Sequence, residues 1–276
     1  MDSRPVILSI AGYDPSSGAG VTADVKTAAA LGCYAVTAIT ALTVQSTKGV
    51  FGVEPVRAEV VRETLDRLLE DIEVAAIRIG MLGSGEVAGV VADVLGRISA
   101  RNVVLDPVLR SSTGTPLLDE SGIAVVRADL LPLSALITPN LPEAALLAEE
   151  SFGDPPGSWE EALPVVRQLA RKLHGLGSRG VIITGGHLPE PNDFLSLQGP
   201  SGEVEQVFPG SRIETESTHG TGCGFATAVA CGLAYGRSAA QAVAEAKEFV
   251  RQAMLAAYPV GKGTGPMNPL FRLDKP

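Results

Sequence analysis

Residues 218–233 of the chain, THGTGCGFATAVACGL, join a glycine-rich turn to a long run of small apolar residues. Glycines at 220, 222 and 224 let the backbone turn tightly and bring its N–H groups close to a ligand. The apolar run predicts a buried helix over 225–233, and the first N–H groups of a helix have no intrahelical partner. The turn is therefore predicted to form a positive cup at residues 220–223 that binds an anion such as phosphate.

Cys223 stands in this cup, directly before the apolar run. A helix N-terminus lowers the pKa of a thiol, so the position makes Cys223 a candidate base or nucleophile. The alternative is a small cysteine packed under a glycine-rich turn, since buried cysteines are common. The stretch by itself leaves both interpretations open.

The composition favours one α/β domain over residues 1–276. Hydrophobic residues make up 45% of the chain, which is enough for one large core, and no change in composition marks a domain boundary. The dominance of Ala, Val, Leu and Gly is typical of a parallel sheet covered by helices.

The net charge of −9, from 22 basic and 31 acidic residues, argues against nucleic acid or an anionic membrane as a partner. Both bind proteins through a basic face. The three cysteines have no metal-ligand spacing and are too few for a disulfide framework. No signal-peptide pattern or membrane-spanning segment is evident, so we expect a cytoplasmic protein.

Short apolar runs that end in glycine or polar residues predict the strands of the sheet. These runs cover 6–11, 34–44, 75–79, 103–105, 133–137 and 181–184, and 193–197 with 203–207 predicts an antiparallel hairpin at one edge. Helices are predicted over 21–31, 57–71, 87–98, 162–176 and 239–258. Ligands of open α/β sheets bind at the carboxyl ends of the strands, so side chains there are the candidate site residues.

Four of these side chains are candidates for contact with a small molecule. Asp24 lies in the first turn after a glycine-rich loop, the usual ligand position. The Gln45 carboxamide can donate and accept, which suits the ring nitrogens and amino group of a heterocycle. Met81 offers a flexible apolar wall for a planar ring. Asp106 either contacts a ligand or metal-bound water or caps the following loop, and we favour the ligand.

Asn140 and Glu143 are three residues apart at a predicted helix start. Such a pair can order the waters around Mg²⁺, which keeps much of its hydration shell when it carries phosphates. A capping box has the same spacing and needs no ligand. On this stretch alone, the capping interpretation is the better one.

The residues Gly18-x-Gly20-x-x-Ala23 match a relaxed dinucleotide-binding fingerprint between a strand and a helix. That fingerprint also requires an acidic residue at the end of the second strand, to hold the ribose. After Asp24 the next acidic residue is Glu54, so a dehydrogenase is only a contrasting hypothesis.

Seven motifs that occur in order along the chain together support a resemblance to a known protein family. No single motif is sufficient for it. They are Gly12-x-Asp14-Pro15-Ser16-x-Gly18-Ala19-Gly20 with Asp24 and Lys26, Gln45, Gly80-Met81-Leu82, Asp106-Pro107-Val108, Thr138-Pro139-Asn140-x-x-Glu143, Gly185-Gly186-His187 and His219-Gly220-Thr221-Gly222-Cys223. Over nearly its whole length the chain resembles the hydroxymethylpyrimidine/phosphomethylpyrimidine kinases of thiamine biosynthesis, within the ribokinase-like superfamily.

The resemblance implies a ribokinase-like three-layer α/β/α sandwich with a mostly parallel central sheet. It implies ATP and Mg²⁺ as cosubstrates, and phosphorylation of 4-amino-5-hydroxymethyl-2-methylpyrimidine and then of its monophosphate. The positions implied to bind the pyrimidine are Gly12, Asp24, Val44, Gln45, Met81 and Val108.

The same resemblance assigns the remaining site residues. The nucleotide and its phosphates are implied to contact Asp106, Asn140, Glu143, Thr184, Gly186, His187 and Thr221. Glu143 is implied to hold Mg²⁺ through water, which reverses the preference for capping. The catalytic anion hole is implied at Gly220, Thr221, Gly222 and Cys223, and Cys223 stands where many ribokinase-like relatives carry a catalytic aspartate.

Three positions depart from the family pattern. Thr184 and Ser112 stand where many members carry a lysine that would neutralise ATP phosphates. Arg110 is a candidate replacement for that charge, and its alternative is a solvated loop residue. Thr227 is the first hydroxyl residue after Cys223, whereas some relatives have one sooner.

Two other functions stay open on the sequence. A pyridoxal (vitamin B6) kinase is the nearer one, because some relatives phosphorylate pyridoxal with the same cup. A catalytically silent ligand-binding protein is the other. Relatives are commonly dimers, so we expect a homodimer.

Overall fold

The computed structural model describes residues 4–98, 100–111, 114–151, 156–199 and 202–273. The strands are β1 Val6–Tyr13, β2 Tyr34–Ser46, β3 Gly49–Pro55, β4 Ala76–Ile79, β5 Val103–Leu105, β6 Leu136–Ile137, β7 Gly180–Ile183, β8 Asp193–Gly199 and β9 Gly202–Phe208. The helices are α1 Gly20–Ala30, α2 Ala58–Asp71, α3 Gly85–Arg97, α4 Glu120–Val125, α5 Leu131–Leu133, α6 Leu141–Leu147, α7 Trp159–Gly175, α8 Thr221–Ala234 and α9 Ala239–Leu255, with a π-helical turn Val126–Leu130 between α4 and α5.

Within these described ranges, nine strands form one sheet in the order β3-β2-β1-β4-β5-β6-β7-β8-β9. Strands β2, β1, β4, β5, β6 and β7 are parallel to one another. Strand β3 is antiparallel at one edge, and the hairpin β8–β9 is antiparallel at the other. The predicted mostly parallel sheet and its edge hairpin are confirmed.

The sheet is covered by helices on both faces, which gives the predicted three layers. On β4, Ile77 and Ile79 point into the core under α2, α3, α6 and α7. Ala76 points the other way, toward α1, α8 and α9. This alternation follows from the period of two in a strand. Cys33 and Cys231 are buried in the second core, at 3% and 1% exposure.

One segment folds differently from the prediction. Residues 120–133 are helical, although no helix was predicted there, and the strand expected over 133–137 is reduced to Leu136–Ile137. The Asp119 side chain accepts a hydrogen bond from the Gly122 N–H and so caps α4. The buried side chains of Val126 and Leu130 follow at helical spacing. A capping residue before this spacing was the signal that the strand prediction overlooked.

Two absences hold for the described ranges only. No helix there is long and apolar enough to cross a membrane. In the same ranges, no group of three or more His, Cys, Asp or Glu side chains is arranged to hold a metal ion.

Candidate active site

A cleft of about 1440 Å³ runs along the carboxyl ends of the parallel strands. It brings together most of the residues that the sequence selected, although they come from seven separate segments. The predicted residues that line it are Gly12, Gln45, Met81, Asp106, Val108, Asn140, Glu143, Thr184, Gly186, His187, Gly220, Thr221, Gly222 and Cys223.

The amino end of α8 forms the predicted cup in the cleft wall. Gly220 caps the helix with φ of +79°, a left-handed conformation that favours glycine, and a Cβ there would lie 1.8 Å from the Gly18 carbonyl oxygen. The first helical hydrogen bond runs from the Gly224 N–H to the Gly220 carbonyl at 2.8 Å. The N–H groups of Gly222 and Cys223 precede it and have no intrahelical acceptor. The geometry suits an anion.

The predicted lowering of the Cys223 pKa is wrong. Burial raises the pKa of the thiol to about 11, and the positive charge of Arg78 offsets only part of this. The negative charges of Asp106 and Asp24 raise it further. In this structure Cys223 is therefore a thiol at neutral pH, because desolvation of a thiolate and the two nearby carboxylates outweigh the attraction of Arg78.

Beneath the cup lies a buried arginine that the sequence analysis missed. Arg78 has no exposed surface, and its guanidinium donates to Asp24 at 3.1 Å and to Asp106 at 2.6 Å. Burial alone would lower its pKa, but the negative charges of Asp24 and Asp106 keep it charged. The detectable signal was a single charge inside the apolar strand AIRI. Because such a charge must be paired, it marks a polar network under the site.

Asp24 belongs to this network and does not line the cleft, so the sequence placed it wrongly. Its carboxylate is fully buried and lies within hydrogen-bond distance of Ser9 Oγ at 2.6 Å and Thr227 Oγ1 at 2.8 Å, besides Arg78. All its oxygens thus have protein partners. Asp24 can influence a ligand only through Arg78. Thr227, the first hydroxyl residue after Cys223, holds Asp24 from α8.

Val44 does not line the cleft, contrary to the prediction. It is 67% exposed and lies on the outer face of β2, whereas its neighbours Thr43 and Gln45 line the cleft. The alternation of side chains along a strand puts Gln45 and Val44 on opposite faces. Leu42 and Phe51 are exposed on the same two-stranded edge, at 48% and 70%.

On the cleft side, Gln45 meets two residues from other loops. The His219 Nε2 lies 2.8 Å from Asp14 Oδ2 and 3.2 Å from the Gln45 side-chain amide. Burial opposes ionisation of Asp14, but hydrogen bonds from His219 and Ser16 outweigh it and hold the pKa of Asp14 below its usual value. These contacts join the loop after β1, the end of β2 and the turn before α8.

Asn140 and Glu143 form the capping box that the spacing predicted. The Asn140 side chain accepts from the Glu143 N–H, and the Glu143 carboxylate accepts from the Asn140 N–H, both at 2.9 Å. Both side chains also line the cleft. Burial, with the nearby charge of Asp106, raises the pKa of Glu143 to about 8. Burial likewise raises the pKa of Asp106, although Arg78 opposes this.

The residues considered for contact with the nucleotide phosphates differ in the contacts that they make. Thr184 forms an isolated bridge with Asn140, and its N–H donates to the Pro139 carbonyl at 3.0 Å. Ser112 lies outside the described residues. Arg110 lines the cleft and forms no ion pair with a described carboxylate, whereas Lys247 is paired with Asp193 at 2.7 Å.

Comparison with known proteins agrees with this arrangement. A family model described as phosphomethylpyrimidine kinase matches residues 14–268. A hydroxymethylpyrimidine/phosphomethylpyrimidine kinase of Mycobacterium bovis is 40% identical over 98% of this chain and 95% of that protein. The thiamine biosynthesis bifunctional protein ThiED of Geobacter sulfurreducens is also 40% identical over 98% of the chain, but the chain spans only 53% of its length.

Solved structures give the same fold. Bacillus subtilis pyridoxal kinase, in an ADP complex, superposes with a TM-score of 0.85 at 31% identity over 99% of this chain and 100% of that one. Clostridium difficile phosphomethylpyrimidine kinase superposes with a TM-score of 0.77, also at 31% identity, over 91% and 99%. The expected ribokinase-like α/β fold is confirmed, and the chain belongs to the phosphomethylpyrimidine kinase family.

Proposed function

We propose that this protein transfers the γ-phosphoryl group of ATP to 4-amino-5-hydroxymethyl-2-methylpyrimidine, and then a second one to the monophosphate, in thiamine biosynthesis. The observation that carries the proposal is the placement of the α8 cup between Gln45 and Met81 on one side and Asn140 and Thr184 on the other. An acceptor ring and a nucleotide bound at these sides would meet at the cup.

The acceptor half of the cleft, defined by Gly12, Gln45, Met81, Val108 and His219, suits a flat heterocycle. Met81 is packed against Ala41 and Leu117, so its thioether forms a defined apolar wall. The Gln45 carboxamide supplies both a donor and an acceptor to the ring edge. This combination fits an aminopyrimidine, whose amino group and ring nitrogen need one partner of each kind.

The cup serves the transfer itself. Phosphoryl transfer mainly needs alignment of the two oxygens and stabilisation of charge on the equatorial oxygens. The N–H groups of Gly222 and Cys223 are preorganised at the helix terminus for that charge. The Cys223 thiol lines the cleft at the cup, where it would orient the acceptor hydroxyl. Since the transition state is loose, little proton removal is needed before transfer.

Asp106 and Glu143 fit a divalent cation that accompanies the nucleotide. The two carboxyl groups are close enough that Asp106 raises the pKa of Glu143, and a cation between them would remove this repulsion. Hard oxygen ligands suit Mg²⁺. When bound, Mg²⁺ would neutralise phosphate charge, with Glu143 holding it through water. The nucleotide half of the cleft, defined by Asn140, Glu143, Thr184, Gly186 and His187, would hold the phosphates and the nucleoside.

A pyridoxal kinase is the second candidate, and the observation that favours it is the TM-score of 0.85 with the Bacillus subtilis pyridoxal kinase. The test is ATP consumption with Mg²⁺ and three acceptors: the hydroxymethylpyrimidine, its monophosphate and pyridoxal. Turnover on both pyrimidines is the expected result. Preference for pyridoxal would move the substrate to vitamin B6, and no turnover on any of them would leave a ligand-binding protein.

A homodimer through the outer face of β2 and β3 belongs to the same proposal. Leu42, Val44 and Phe51 expose large apolar side chains next to one another on this edge, and such patches are typical of interfaces. Light scattering of the purified protein should give twice the mass of 28.5 kDa. Val44→Lys should give the monomer mass, and an unchanged mass would place the interface elsewhere.

A further inference from the structure

An ion pair that the mechanism above does not use lies beside the nucleotide half of the cleft. Lys247, in the middle of α9, places its Nζ 2.7 Å from Oδ2 of Asp193, the first residue of β8. The same Nζ donates to the Pro191 carbonyl at 2.7 Å. Only 20% of the Lys247 side chain and 9% of the Asp193 side chain are exposed. The pair therefore lies in the cleft wall, mostly shielded from water.

The other carboxylate oxygen of Asp193 holds the turn that follows β7. The Gly185 N–H donates to Asp193 Oδ1 at 3.0 Å. The Leu188 N–H donates to the Gly185 carbonyl at 2.9 Å, so residues 185–188 form a β-turn. Gly186 and His187 are the two central residues of this turn, and both line the cleft. The Asp193 carboxylate thus connects α9 to a turn in the nucleotide half.

Close backbone packing surrounds this connection. A Cβ on Gly185 would lie 2.0 Å from the Asn192 carbonyl oxygen, so only glycine lets the turn approach the start of β8 this closely. The Gly210 N–H donates to Asn192 Oδ1 at 2.9 Å. A Cβ on Gly210 would lie 2.4 Å from the Pro191 carbonyl oxygen and 3.1 Å from Lys247 Nζ. The ammonium group is therefore enclosed by backbone and has a defined position.

The charge of Lys247 keeps the Asp193 carboxylate in place. Burial raises the pKa of Asp193, and Lys247 and the Gly185 N–H oppose this. Among the residues that the structure describes, Lys247 is the cation paired with Asp193. Without it, Asp193 would take up a proton or leave its buried position, because a buried charge without a partner is costly. Either change would weaken the hydrogen bond to the Gly185 N–H, since an ionised acceptor binds a donor more strongly than a neutral one.

We propose that Lys247 is a positioning residue for nucleotide binding, which neutralises Asp193 and so fixes the turn at residues 185–188. The central residues of this turn would then meet the ATP phosphates in a preformed arrangement. Lys247 acts through Asp193, since its Nζ already has two acceptors. The inference rests on the proposed function, because it names a residue that controls the nucleotide half of that site.

The test measures Mg–ATP binding by calorimetry and the acceptor KM by steady-state kinetics. Lys247→Met should weaken ATP binding about tenfold, the size expected when a group that orients a ligand contact is lost, with the acceptor KM changed less than about twofold. Asp193→Asn in the Lys247→Met background should restore most of the ATP affinity, because asparagine keeps an acceptor for the Gly185 N–H and carries no charge. Arg237→Met is the control and should bind ATP like wild type, since it removes an exposed ion pair between Arg237 and Glu245 of the same helix, outside the cleft.

Two results of this comparison would overturn the proposal. If Lys247 contacts the nucleotide directly, the double variant binds ATP as weakly as Lys247→Met does. If Lys247 only stabilises the fold, Lys247→Met raises the ATP KM and the acceptor KM equally.

Hydrogen exchange of the Gly185 amide gives a test that needs no activity. Without nucleotide, this N–H should exchange about tenfold faster in Lys247→Met than in wild type, and at nearly the wild-type rate in the double variant, because its acceptor is lost and then replaced. An unchanged rate in Lys247→Met would overturn the proposal. If the wild-type protein binds no ATP, the proposed function fails, and the exchange rates still decide whether Lys247 holds the turn.

Discussion

The two halves of the cleft hold their residues in different ways. In the acceptor half, His219 contacts both Gln45 and Asp14, and Arg78 is buried beneath the cup. In the nucleotide half, Asn140 and Glu143 are bound to one another in the capping box. The Thr184 N–H is bound to the Pro139 carbonyl, and Lys247 is paired with Asp193. The contacts of the acceptor half join three separate segments of the chain, whereas those of Asn140 and Glu143 lie within one helix start.

This difference teaches how the two ligands would be recognised. Side chains that are fixed before binding lose little conformational freedom when the ligand arrives, so they favour specificity. In the nucleotide half, the backbone N–H groups of the α8 cup and an added metal ion would supply the positive charge that phosphates need. We therefore expect substitutions in the acceptor half to affect folding and selectivity, and those in the nucleotide half to affect ATP affinity.

The largest expected effect comes from Arg78→Met. Removing the guanidinium leaves the buried Asp24 and Asp106 without their shared cation, which should reduce the free energy of unfolding by about 3–5 kcal/mol. Arg78→Lys keeps the charge and should cost less. Urea unfolding measures both. The control is Arg97→Met, which removes an exposed ion pair with Asp66 at 3.0 Å and should change stability by under about 1 kcal/mol. Equal losses of stability in Arg78→Met and Arg97→Met would contradict the stabilising role of the buried Arg78 ion pairs.

Cys223→Ala tests the junction of the two halves. The thiol lies where the acceptor hydroxyl and the phosphoryl group would meet, so we expect kcat to fall by about 100-fold, because loss of an orienting contact misaligns the reacting atoms. ATP affinity, measured by calorimetry, should change less than twofold. Cys33→Ala is the control, because Cys33 is buried away from the cleft. Wild-type turnover in Cys223→Ala would refute a catalytic role.

Glu143→Gln tests the electrostatics of the nucleotide half. The folded pKa of about 8 lies above the ordinary 4.5, so between these values the folded state binds more protons than the unfolded state. Stability from this group is present at low pH and is lost as pH rises, by at most about 1.4 kcal/mol per pH unit. Without Mg²⁺, unfolding between pH 5 and 8 should show this decline in wild type and a flatter curve in Glu143→Gln. Glutamine preserves the capping box. Parallel curves would contradict the raised pKa.

Arg110→Gln gives the smallest expected effect. Arg110 lines the cleft without a described carboxylate partner and could supply the charge of the absent lysines. We expect ATP to bind about fivefold more weakly, with the acceptor KM unchanged, and the difference to shrink in salt. Arg101→Gln, at an exposed position outside the cleft, is the control. If both variants bind ATP equally well, Arg110 is a solvated loop residue with no role in ATP binding.

The positions of the site loops could be predicted from the sequence, because each parallel strand is an apolar run closed by glycine or a polar residue. The ends of β1, β4 and β7 follow this pattern, and parallel strands place their carboxyl ends at one edge. Met81 was selected in this way, whereas Gly12 and Gly186 were selected through the family resemblance, and all three line the cleft.

Burial and pairing could not be predicted from a local pattern. Asp24 is buried because Arg78, 54 residues away, lies opposite it, and no local spacing records that contact. The pKa of Cys223 depends on the same distant charges. Val44 is a different case, since the alternation that places Gln45 in the cleft already points Val44 outward.

Because two of the three cysteines are buried, thiol labelling of the third can report whether a ligand occupies the cup. Cys33 and Cys231 are sealed in the core, whereas Cys223 is partly exposed in the cup. A thiol reagent should modify one group in the native protein, slowly because little thiolate is present, and all three after denaturation. A ligand that fills the cup would shield that group, so the rate of labelling would measure binding without any turnover.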